Sequence, residues 1–181
     1  MVKVLVPLAD GCEELEAVTI IDLLRRAGID VVVAGLKPGI VMASRGVQLV
    51  PDVTLDVALQ HDYDMVVLPG GMPGAAHLKD DARIIALLKK MAAAGQYTAA
   101  ICAAPMVLAE AGLLEGKQAT SYPGFLDEMP GVTLSAAAVV QDGKVLTSRG
   151  PGTAMDFALA LIEVLVGTEK RQQVESALLR P

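Results

Sequence analysis

The segment Tyr97-Thr98-Ala99-Ala100-Ile101-Cys102-Ala103-Ala104-Pro105 decides how this chain is expected to fold. Residues 97–101 form a short apolar run with the length of a buried strand, and residues 104–111 are strong helix formers that end before Gly112. The pattern therefore places Cys102 on a turn from a strand into a helix, with small alanines beside it. A sharp turn of this kind is the geometry of a nucleophile elbow.

The position of Cys102 has two interpretations. The dipole and the unpaired N–H groups of a helix N-terminus favour an anion, and they can lower the pKa of a cysteine from about 8.5 to between about 3.5 and 7.5. On this interpretation Cys102 is a thiolate nucleophile at neutral pH and titrates well below Cys12. The alternative is a small buried apolar side chain, which is what most free cysteines are. Position alone does not decide between them.

The elements around this segment alternate between strands and helices. The opening is a strand, a helix and a strand, over residues 2–8, 13–27 and 29–35. Further strands are predicted at residues 47–50, 64–68 and 117–121, a hairpin at 139–146, and helices at 80–94, 151–166 and 168–179. This alternation predicts an α/β sandwich with a mostly parallel central sheet. Because no Pro/Ser-rich linker divides the chain, residues 1–181 are expected to form one domain.

Composition excludes several classes of function. The chain has 181 residues and a net charge of −6, which argues against binding to nucleic acid or to an anionic membrane. The apolar run at residues 4–9 is too short for a signal peptide or a membrane span, so a cytoplasmic protein is expected. His61 and His77 form no metal-binding pattern, and we expect neither a metal nor a cofactor.

Glu16 is the acidic residue that points to chemistry. Parallel α/β sheets place their sites at the carboxyl ends of the strands, and the first such loop leads into the helix that carries Glu16. On a helical wheel Glu16 lies within the apolar stripe of Ile20 and Leu23, whereas Glu14 points nearly opposite, to solvent. A buried carboxyl usually has a raised pKa. The alternative, an acid stabilised by the helix dipole, explains Glu13 better than Glu16 because the effect fades after the first turn.

The Gly70-Gly71 turn follows the strand at residues 64–68. Backbone N–H groups of Gly71 and Ala103 could converge on one oxygen as an oxyanion hole, although a Gly-Gly pair is more often only a tight bend. The turn lacks the Lys-Ser/Thr of a phosphate-binding loop. Thr153, with an acidic residue three positions later, is interpreted as a helix N-cap.

Four segments together resemble a known family over essentially the whole chain. They are ADGCEELE at 9–16, VLPGG at 67–71, AAICAAP at 99–105 and TSRGPGT at 147–153. This set is similar to the ThiJ/PfpI superfamily, in the branch of the parkinsonism-associated protein deglycase and bacterial YajL. The resemblance implies a flavodoxin-like three-layer sandwich and a homodimer. It also implies these site residues: a reactive Cys102, a protonated Glu16 as its partner, oxyanion donors Gly71 and Ala103 next to Gly70, and Arg45 near a pocket on the dimer side.

The chain departs from relatives at two positions. The peptidase branch of the superfamily carries a histidine directly after the cysteine, and Ala103 stands there, so a peptidase would lack its base. Relatives often place a histidine where this chain has Tyr122. A phenol with a reference pKa of about 10 can donate a hydrogen bond but cannot act as a base at neutral pH.

The resemblance implies a cysteine-dependent glyoxalase or deglycase. Such an enzyme converts small dicarbonyls such as glyoxal and methylglyoxal, or their adducts, to hydroxy acids without glutathione, in protection against stress. The competing class is a non-enzymatic sensor of oxidative stress or a redox-regulated chaperone. In that class Cys102 is oxidised to a sulfinic acid that Glu16 holds by a hydrogen bond.

Overall fold

A seven-stranded sheet forms the centre of the computed structural model, which describes residues 1–180. The strands of the described chain are β1 (Lys3–Leu8), β2 (Asp30–Gly35), β3 (Val41–Met42), β4 (Gln48–Leu49), β5 (Val53–Thr54), β6 (Met65–Leu68), β7 (Tyr97–Ile101), β8 (Gln118–Ala119), β9 (Thr133–Leu134), β10 (Val139–Asp142) and β11 (Val145–Ser148). Its α-helices are α1 (Glu14–Arg26), α2 (Leu55–Ala58), α3 (Gly74–Asp80), α4 (Ala82–Ala93), α5 (Pro105–Glu110), α6 (Ala154–Val166) and α7 (Thr168–Ala177).

The sheet is mostly parallel and covered on both faces. Its order is β10-β11-β7-β6-β1-β2-β5, and β10 is antiparallel to β11 whereas the other neighbours are parallel. Right-handed crossovers place α1 and α4 on opposite faces, because β1 leads to β2 in one direction and β6 leads to β7 in the other. Helix α1 packs against α6, while α3, α4 and α5 contact one another. The predicted flavodoxin-like layering is confirmed.

The topology creates a crevice between β1 and β6. From β1 the chain moves outward to β2, and after β6 it moves the other way to β7 and β11, so the direction of winding reverses between β1 and β6. Open α/β sheets bind their ligands outside the carboxyl ends of strands at such a switch point. The loops that follow β1 and β6 meet there, and the Glu13 N–H donates to the carbonyl oxygen of Gly70 at 2.8 Å.

The strand predicted at residues 117–121 does not join the central sheet. The observed β8 pairs with β9 in a separate two-stranded sheet. Side chains attach β8 to the central sheet, because the N–H of Gln118 donates to the Asp142 carboxylate at 2.9 Å and that of Thr120 donates to Thr147 Oγ1 at 2.9 Å. These side-chain bonds replace the backbone ladder that a fifth central strand requires.

Two predicted helices begin differently from expectation. The helix expected at residues 80–94 is interrupted by Asp81, which adopts an extended conformation and caps α4 by accepting the Arg83 N–H at 2.9 Å. The residues before Asp81 form α3. This helix was not predicted because the Pro and Gly residues that precede it indicate a turn. The helix expected at residues 151–166 opens with a 3-10 turn. Thr153 lies at the N-cap of α6, but its hydroxyl bonds Gly150 rather than capping the helix.

No helix within residues 1–180 has both the length and the apolar composition needed to cross a bilayer.

Two constraints should require a glycine at position 71, namely the close approach of two loops and the left-handed backbone conformation. Gly71 has φ +87°, and a Cβ there would lie 2.3 Å from the Glu13 nitrogen, whereas Gly28 has φ +78° with nothing within 4 Å of such a Cβ. We expect Gly28→Ala to cost about 1–2 kcal/mol from the left-handed backbone alone. Gly71→Ala should cost about 1–3 kcal/mol more, because the loops must move apart. Urea unfolding of both variants measures the difference, and equal losses would contradict the close-approach argument.

Candidate active site

Cys102 lies on the turn that connects β7 to α5, as the sequence predicts. Its φ of +64° is uncommon for a residue with a side chain and costs on the order of 1–3 kcal/mol, so neighbouring structure must hold it. Two backbone hydrogen bonds do so. The Cys102 N–H donates to the Ser148 carbonyl at 3.0 Å, and the Tyr122 N–H donates to the Cys102 carbonyl at 2.9 Å.

Glu16 and Cys102 meet across Gly70. Glu16 is completely buried, which confirms the predicted inward orientation, and Cys102 is 9% exposed. The Gly70 N–H donates to Glu16 Oε2 at 2.8 Å. A Cβ on Gly70 would lie 2.6 Å from the Cys102 Cβ and 2.9 Å from Glu16 Oε2. Only a glycine at this position allows the carboxyl and the thiol to approach each other.

The backbone N–H groups of Gly71 and Ala103 converge on Cys102. Both groups hydrogen-bond the sulfur and lower the pKa of Cys102. They come from two different loops, after β6 and after β7, whose strands are neighbours in the sheet. The sequence predicts that the same two groups bind one oxygen as an oxyanion hole, and this role stays a prediction.

The pKa of Glu16 is raised from 4.5 to about 7. Burial is the largest cause, and it is partly offset by hydrogen bonds with Gly70 and Cys102. Glu16 Oε1 is buried and has no nitrogen or oxygen partner within residues 1–180. An oxygen with no donor facing it is the one best suited to carry a proton. Glu16 can therefore exchange a proton near neutral pH.

The expectation that Cys102 has a low pKa of its own is wrong. Burial and then the negative charge of Glu16 raise the pKa of Cys102 to about 12. The helix N-terminus gives little help because α5 begins at Pro105, which has no N–H, and because the Ala104 N–H donates to the Ile101 carbonyl at 3.0 Å. The expected difference in pKa between the two cysteines is also absent, because the pKa of Cys12 is likewise raised to about 12, mainly by burial.

Cys102 and Glu16 ionise as a pair. The charge of Glu16 opposes a thiolate only while the carboxyl is ionised, and a protonated Glu16 can instead donate a hydrogen bond to the sulfur. The proton that remains after the first ionisation is shared between the two groups, so the apparent pKa values belong to the pair. A nucleophilic sulfur is thus available through transfer of this shared proton.

Glu14 does not point to solvent as the helical wheel suggests. Its carboxylate accepts the Arg45 N–H at 2.8 Å and lies 3.0 Å from Ser44 Oγ, because the loop between β3 and β4 folds back over the start of α1. Glu13 is the N-cap of α1, and its side chain accepts the Leu15 N–H. The Arg45 guanidinium is exposed and forms no hydrogen bond or ion pair within residues 1–180, so its role stays a prediction.

The remaining predicted site residue, Tyr122, lies beside the turn through its backbone. Its side chain is half exposed, and its ring packs edge to face on Phe125 with 6.3 Å between the ring centroids.

Sequence reasoning assigned no role to Ser148, which is buried and whose carbonyl oxygen accepts the Cys102 N–H. Ser148 Oγ also lies 2.7 Å from Thr153 Oγ1. The sequence signal for this role of Ser148 was the TSRGPGT segment at 147–153, in which two residues with small hydroxyl side chains flank a Gly/Pro turn.

The histidines and the second cysteine lie apart from this cluster. His77 lines a cavity of about 290 Å³ between the loops after β1 and β2 and helix α3, and Cys102 is not part of its wall. His61 lines a different depression. Both cysteines are free thiols, and no group of three potential metal ligands occurs within the described chain.

Comparisons with known proteins extend along the whole chain. Residues 2–164 match the model of the DJ-1/PfpI family. Protein dj-1beta of Drosophila melanogaster is 46% identical over 178 residues, covering 97% of this chain and 95% of the relative. The glutathione-independent glyoxalase DJR-1.2 of Caenorhabditis elegans is 36% identical over 180 residues, covering 98% and 93%. Protein DJ-1 homolog B of Arabidopsis thaliana is 46% identical over 98% of this chain, which spans only 41% of that relative.

Solved structures agree with these relatives. The crystal structure of Drosophila melanogaster DJ-1beta superposes with a TM-score of 0.96 at 44% identity, covering 99% of this chain and 98% of the other. A structure described as Toxoplasma gondii DJ-1, oxidized, gives a TM-score of 0.95 at 46% identity with the same coverage.

Glu16 should make the stability of the protein depend on pH. Unfolded Glu16 loses its proton near 4.5 and folded Glu16 near 7, so the folded state binds more protons between these values. The contribution is fully present below pH 4.5 and is lost as the pH rises through about 7. Relative to Glu16→Gln, the wild type should lose up to about 3 kcal/mol of unfolding free energy between pH 4.5 and pH 8.

Denaturant unfolding at several pH values measures this difference. The matched control is Glu169→Gln, at an exposed residue of the first turn of α7, whose stability relative to the wild type should not vary over the same range. If Glu16→Gln shows the same constant offset, the pKa of Glu16 is not raised in the folded protein.

Proposed function

The chain belongs to the DJ-1/PfpI family, and from this premise we propose that it is a cysteine-dependent enzyme of the glutathione-independent glyoxalase type. The observation that carries the proposal is the pairing of Cys102 with a buried Glu16 whose pKa is about 7. The name of the Caenorhabditis elegans relative supports it. The substrate class is small dicarbonyls such as glyoxal and methylglyoxal.

The first step is addition of Cys102 to the aldehyde. Glu16 takes the thiol proton while the sulfur bonds to the aldehyde carbon, and the carbonyl oxygen becomes an alkoxide beside the N–H groups of Gly71 and Ala103. Glu16 then returns the proton to this oxygen. The product is a hemithioacetal attached to Cys102, and Glu16 is again a carboxylate.

The second step moves hydrogen between the two adjacent carbons. The Glu16 carboxylate removes the proton from the carbon bonded to sulfur and delivers it to the neighbouring carbon, while the hydroxyl proton passes from the first oxygen to the second. The result is a 2-hydroxyacyl thioester. Water then adds to the thioester carbonyl, the bond to sulfur breaks, and the hydroxy acid and Cys102 are released.

The pKa of Glu16 suits both directions of proton transfer. A general acid–base group works best when its pKa lies near the operating pH, because it must be able to accept and return the same proton. A carboxyl with an ordinary pKa would be ionised at neutral pH and a poor donor. Burial of Glu16 is therefore the feature that adapts this carboxyl to the reaction.

Hydrolysis of adducts on proteins or nucleotides would use the same chemistry on larger substrates. The small side chains around Cys102 leave little to discriminate among acyl groups, which fits a deglycase as well as a glyoxalase. In both cases Tyr122 is proposed to contribute at most one neutral hydrogen bond, and Arg45 to lie at the edge of the substrate pocket. The reaction is proposed to take place in the cytoplasm without a cofactor.

A second candidate function is the sensing of oxidants through Cys102. A sulfinate at this position would accept hydrogen bonds from Gly71, Ala103 and a protonated Glu16, which favours arrest at this oxidation state. The description of the Toxoplasma gondii structure as oxidised supports this candidate by analogy. A redox-regulated chaperone would use the same modification.

Lactate formation from methylglyoxal without glutathione tests the enzymatic proposal. We expect activity in the wild type and in Cys12→Ser, and its loss in Cys102→Ser. Glu16→Gln keeps the hydrogen-bonding shape but cannot transfer a proton, so kcat/KM should fall by about 10²–10⁴. For the wild type, kcat/KM should rise as the pH passes through about 7, when the pair loses its first proton.

The same proteins separate the two functions. If no lactate forms in the wild type while mild peroxide converts Cys102 to the sulfinic acid by mass spectrometry, the enzymatic proposal is rejected and sensing is favoured. Equal turnover in the wild type and Glu16→Gln would remove Glu16 from the mechanism.

We also propose that the protein forms a homodimer through α1 and the loop from β3 to β4. About half of each side chain is exposed at Leu15 and Val18 on α1, at Met42 at the end of β3, and at Val47 on the loop before β4. The bond between Glu14 and the Arg45 N–H joins the two elements into one surface. Burial of these apolar groups against a second copy would remove them from water.

Val18→Asp should therefore shift the protein from dimer to monomer in analytical ultracentrifugation. Val57→Asp is the matched control, because Val57 is 44% exposed and Val18 47%, but Val57 lies on α2, outside this surface. A monomeric wild type, or dissociation by both substitutions, would reject this interface.

A further inference from the structure

Each of the two N–H groups that hydrogen-bond the Cys102 sulfur is held through the carbonyl group of its own peptide unit. Because a peptide unit is planar and trans, its C=O and N–H groups point in opposite directions, and a bond that fixes one also fixes the other. The Gly71 N–H shares its peptide with the Gly70 carbonyl, which accepts the Glu13 N–H at 2.8 Å. The direction of this donor is therefore set by the loop after β1.

The Ala103 N–H depends on a different segment of the chain. It shares its peptide with the Cys102 carbonyl, and this carbonyl accepts the Tyr122 N–H at 2.9 Å. The direction of the Ala103 N–H thus follows the position of the backbone at residue 122, and not the Tyr122 phenol. Because residue 122 lies outside the central sheet, beyond the end of β8, other contacts must hold it in place.

Three N–H groups at alternate residues attach the segment 118–122 to β10, to β11 and to the turn after β7. They belong to residues 118, 120 and 122, and their acceptors are the Asp142 carboxylate, Thr147 Oγ1 and the Cys102 carbonyl, each at 2.9 Å. The opposite edge pairs with β9, which binds the carbonyls of residues 117 and 119. Along the attached edge, the Thr147 hydroxyl is the contact next to Tyr122.

The bond to Thr147 is the buried one of the two side-chain attachments. Thr120 and Thr147 are each 1% exposed, whereas the bond from Gln118 to Asp142 lies at the surface. Loss of an acceptor costs more for a buried N–H than for an exposed one, because water does not replace the acceptor. Thr120 is therefore tied firmly to Thr147, two residues before Tyr122.

Strand β11 is well placed to carry this bond. Thr147 pairs with Ala100 of β7, two residues before Cys102. The next residue, Ser148, donates its hydroxyl to the Ala138 carbonyl at 2.6 Å and accepts the Cys102 N–H at 3.0 Å through its own carbonyl. Two consecutive residues of one strand thus hold the Cys102 turn, Ser148 at its N–H directly and Thr147 at its carbonyl through residues 120–122.

We infer that Thr147 is a positioning residue for the reaction of Cys102. Its hydroxyl holds residues 120–122 so that the Tyr122 N–H stays on the Cys102 carbonyl, and this bond aims the Ala103 N–H at the sulfur and at the alkoxide that forms beside it. Thr147 acts through the backbone of other residues and not by contact with the substrate. The inference rests on the function proposed above for Cys102.

A pH titration of the full-length ¹⁵N-labelled protein followed by NMR tests the inference without a substrate. In the wild type, the amide signals of Gly71 and Ala103 should both shift as the pH passes through about 7, when the pair of Glu16 and Cys102 loses its first proton. Thr147→Val keeps the shape of the side chain and removes the acceptor. In this variant the shift of Ala103 should fall to half or less, whereas that of Gly71, held by Glu13, should not change. A wild-type titration of Ala103 in Thr147→Val would overturn the inference.

Thr147→Ser separates positioning from stability. It keeps the hydroxyl and loses a buried methyl group, so it should melt below the wild type and yet retain the wild-type titration of Ala103. If Thr147→Val does not fold, Thr147→Ala takes its place, because it differs from Thr147→Ser by the hydroxyl alone. An Ala103 signal that follows the melting temperature and not the hydroxyl would show a purely structural role and reject the inference.

Thr98→Val is the matched control. Thr98 is also 1% exposed and lies on β7, four residues before Cys102, but within the described chain it forms no bond to residues 118–122. We expect the wild-type titration of both amides in this variant. Loss of the Ala103 shift in Thr98→Val as well would show a general effect of replacing a buried threonine, and the assignment to Thr147 would fail.

Kinetics with methylglyoxal connect the inference to the reaction. Thr147→Val should lower kcat about tenfold or more with little change in KM, because the Ala103 N–H stabilises charge that develops only during the reaction. Thr147→Ser and Thr98→Val should stay within about twofold of the wild type. Unchanged kcat in Thr147→Val would reject the positioning role while lactate formation still supported the enzyme. If the wild type forms no lactate, the proposed function fails, and the titration of Ala103 alone decides whether Thr147 aims this N–H.

Discussion

The contact of a buried carboxyl with a thiol, across a glycine, is the constraint on which the rest of the site depends. Glu16 comes from α1, Gly70 from the loop after β6 and Cys102 from the turn after β7, so three separate elements must arrive at one point. Parallel order of β1, β6 and β7 brings their carboxyl ends to the same edge of the sheet. Without this order the three groups could not meet, and any side chain at position 70 would separate them.

The contact is unfavourable locally and is held by the surrounding fold. Burial of Glu16 disfavours its charged form, and Cys102 has a backbone conformation that few residues with side chains adopt. The Ser148 carbonyl and the Tyr122 N–H fix the turn from both sides. Such features persist only where neighbouring structure determines them, and here they give a shared proton near neutral pH and two convergent N–H donors. The cost to stability and the chemical capacity thus have the same physical origin.

Much of this arrangement could be predicted from the sequence, because it follows from local periodicity. The wheel of α1 turns Glu16 inward, and the apolar run at residues 97–101 ends at Cys102. What could not be predicted depends on contacts between distant segments. The Glu14 carboxylate accepts the N–H of Arg45, which lies 31 residues away in the sequence. Burial within the assembled fold, and after it the charge of Glu16, raise the pKa of Cys102, so a local argument from the helix N-terminus gave the wrong direction.

The same topology explains why a cavity lies close to the Cys102 site. In a parallel sheet each strand ends at the same edge, so the crevice between β1 and β6 and the cavity between β1 and β2 share the loop that follows β1. Asp10 faces the cavity, and Glu13, three residues later, donates its N–H to Gly70 in the crevice. Gly11 lies between them, where a Cβ would be 2.4 Å from Pro73. Because this loop is packed tightly on both sides, the same backbone that positions Asp10 also supports Gly70, and through it the contact between Glu16 and Cys102.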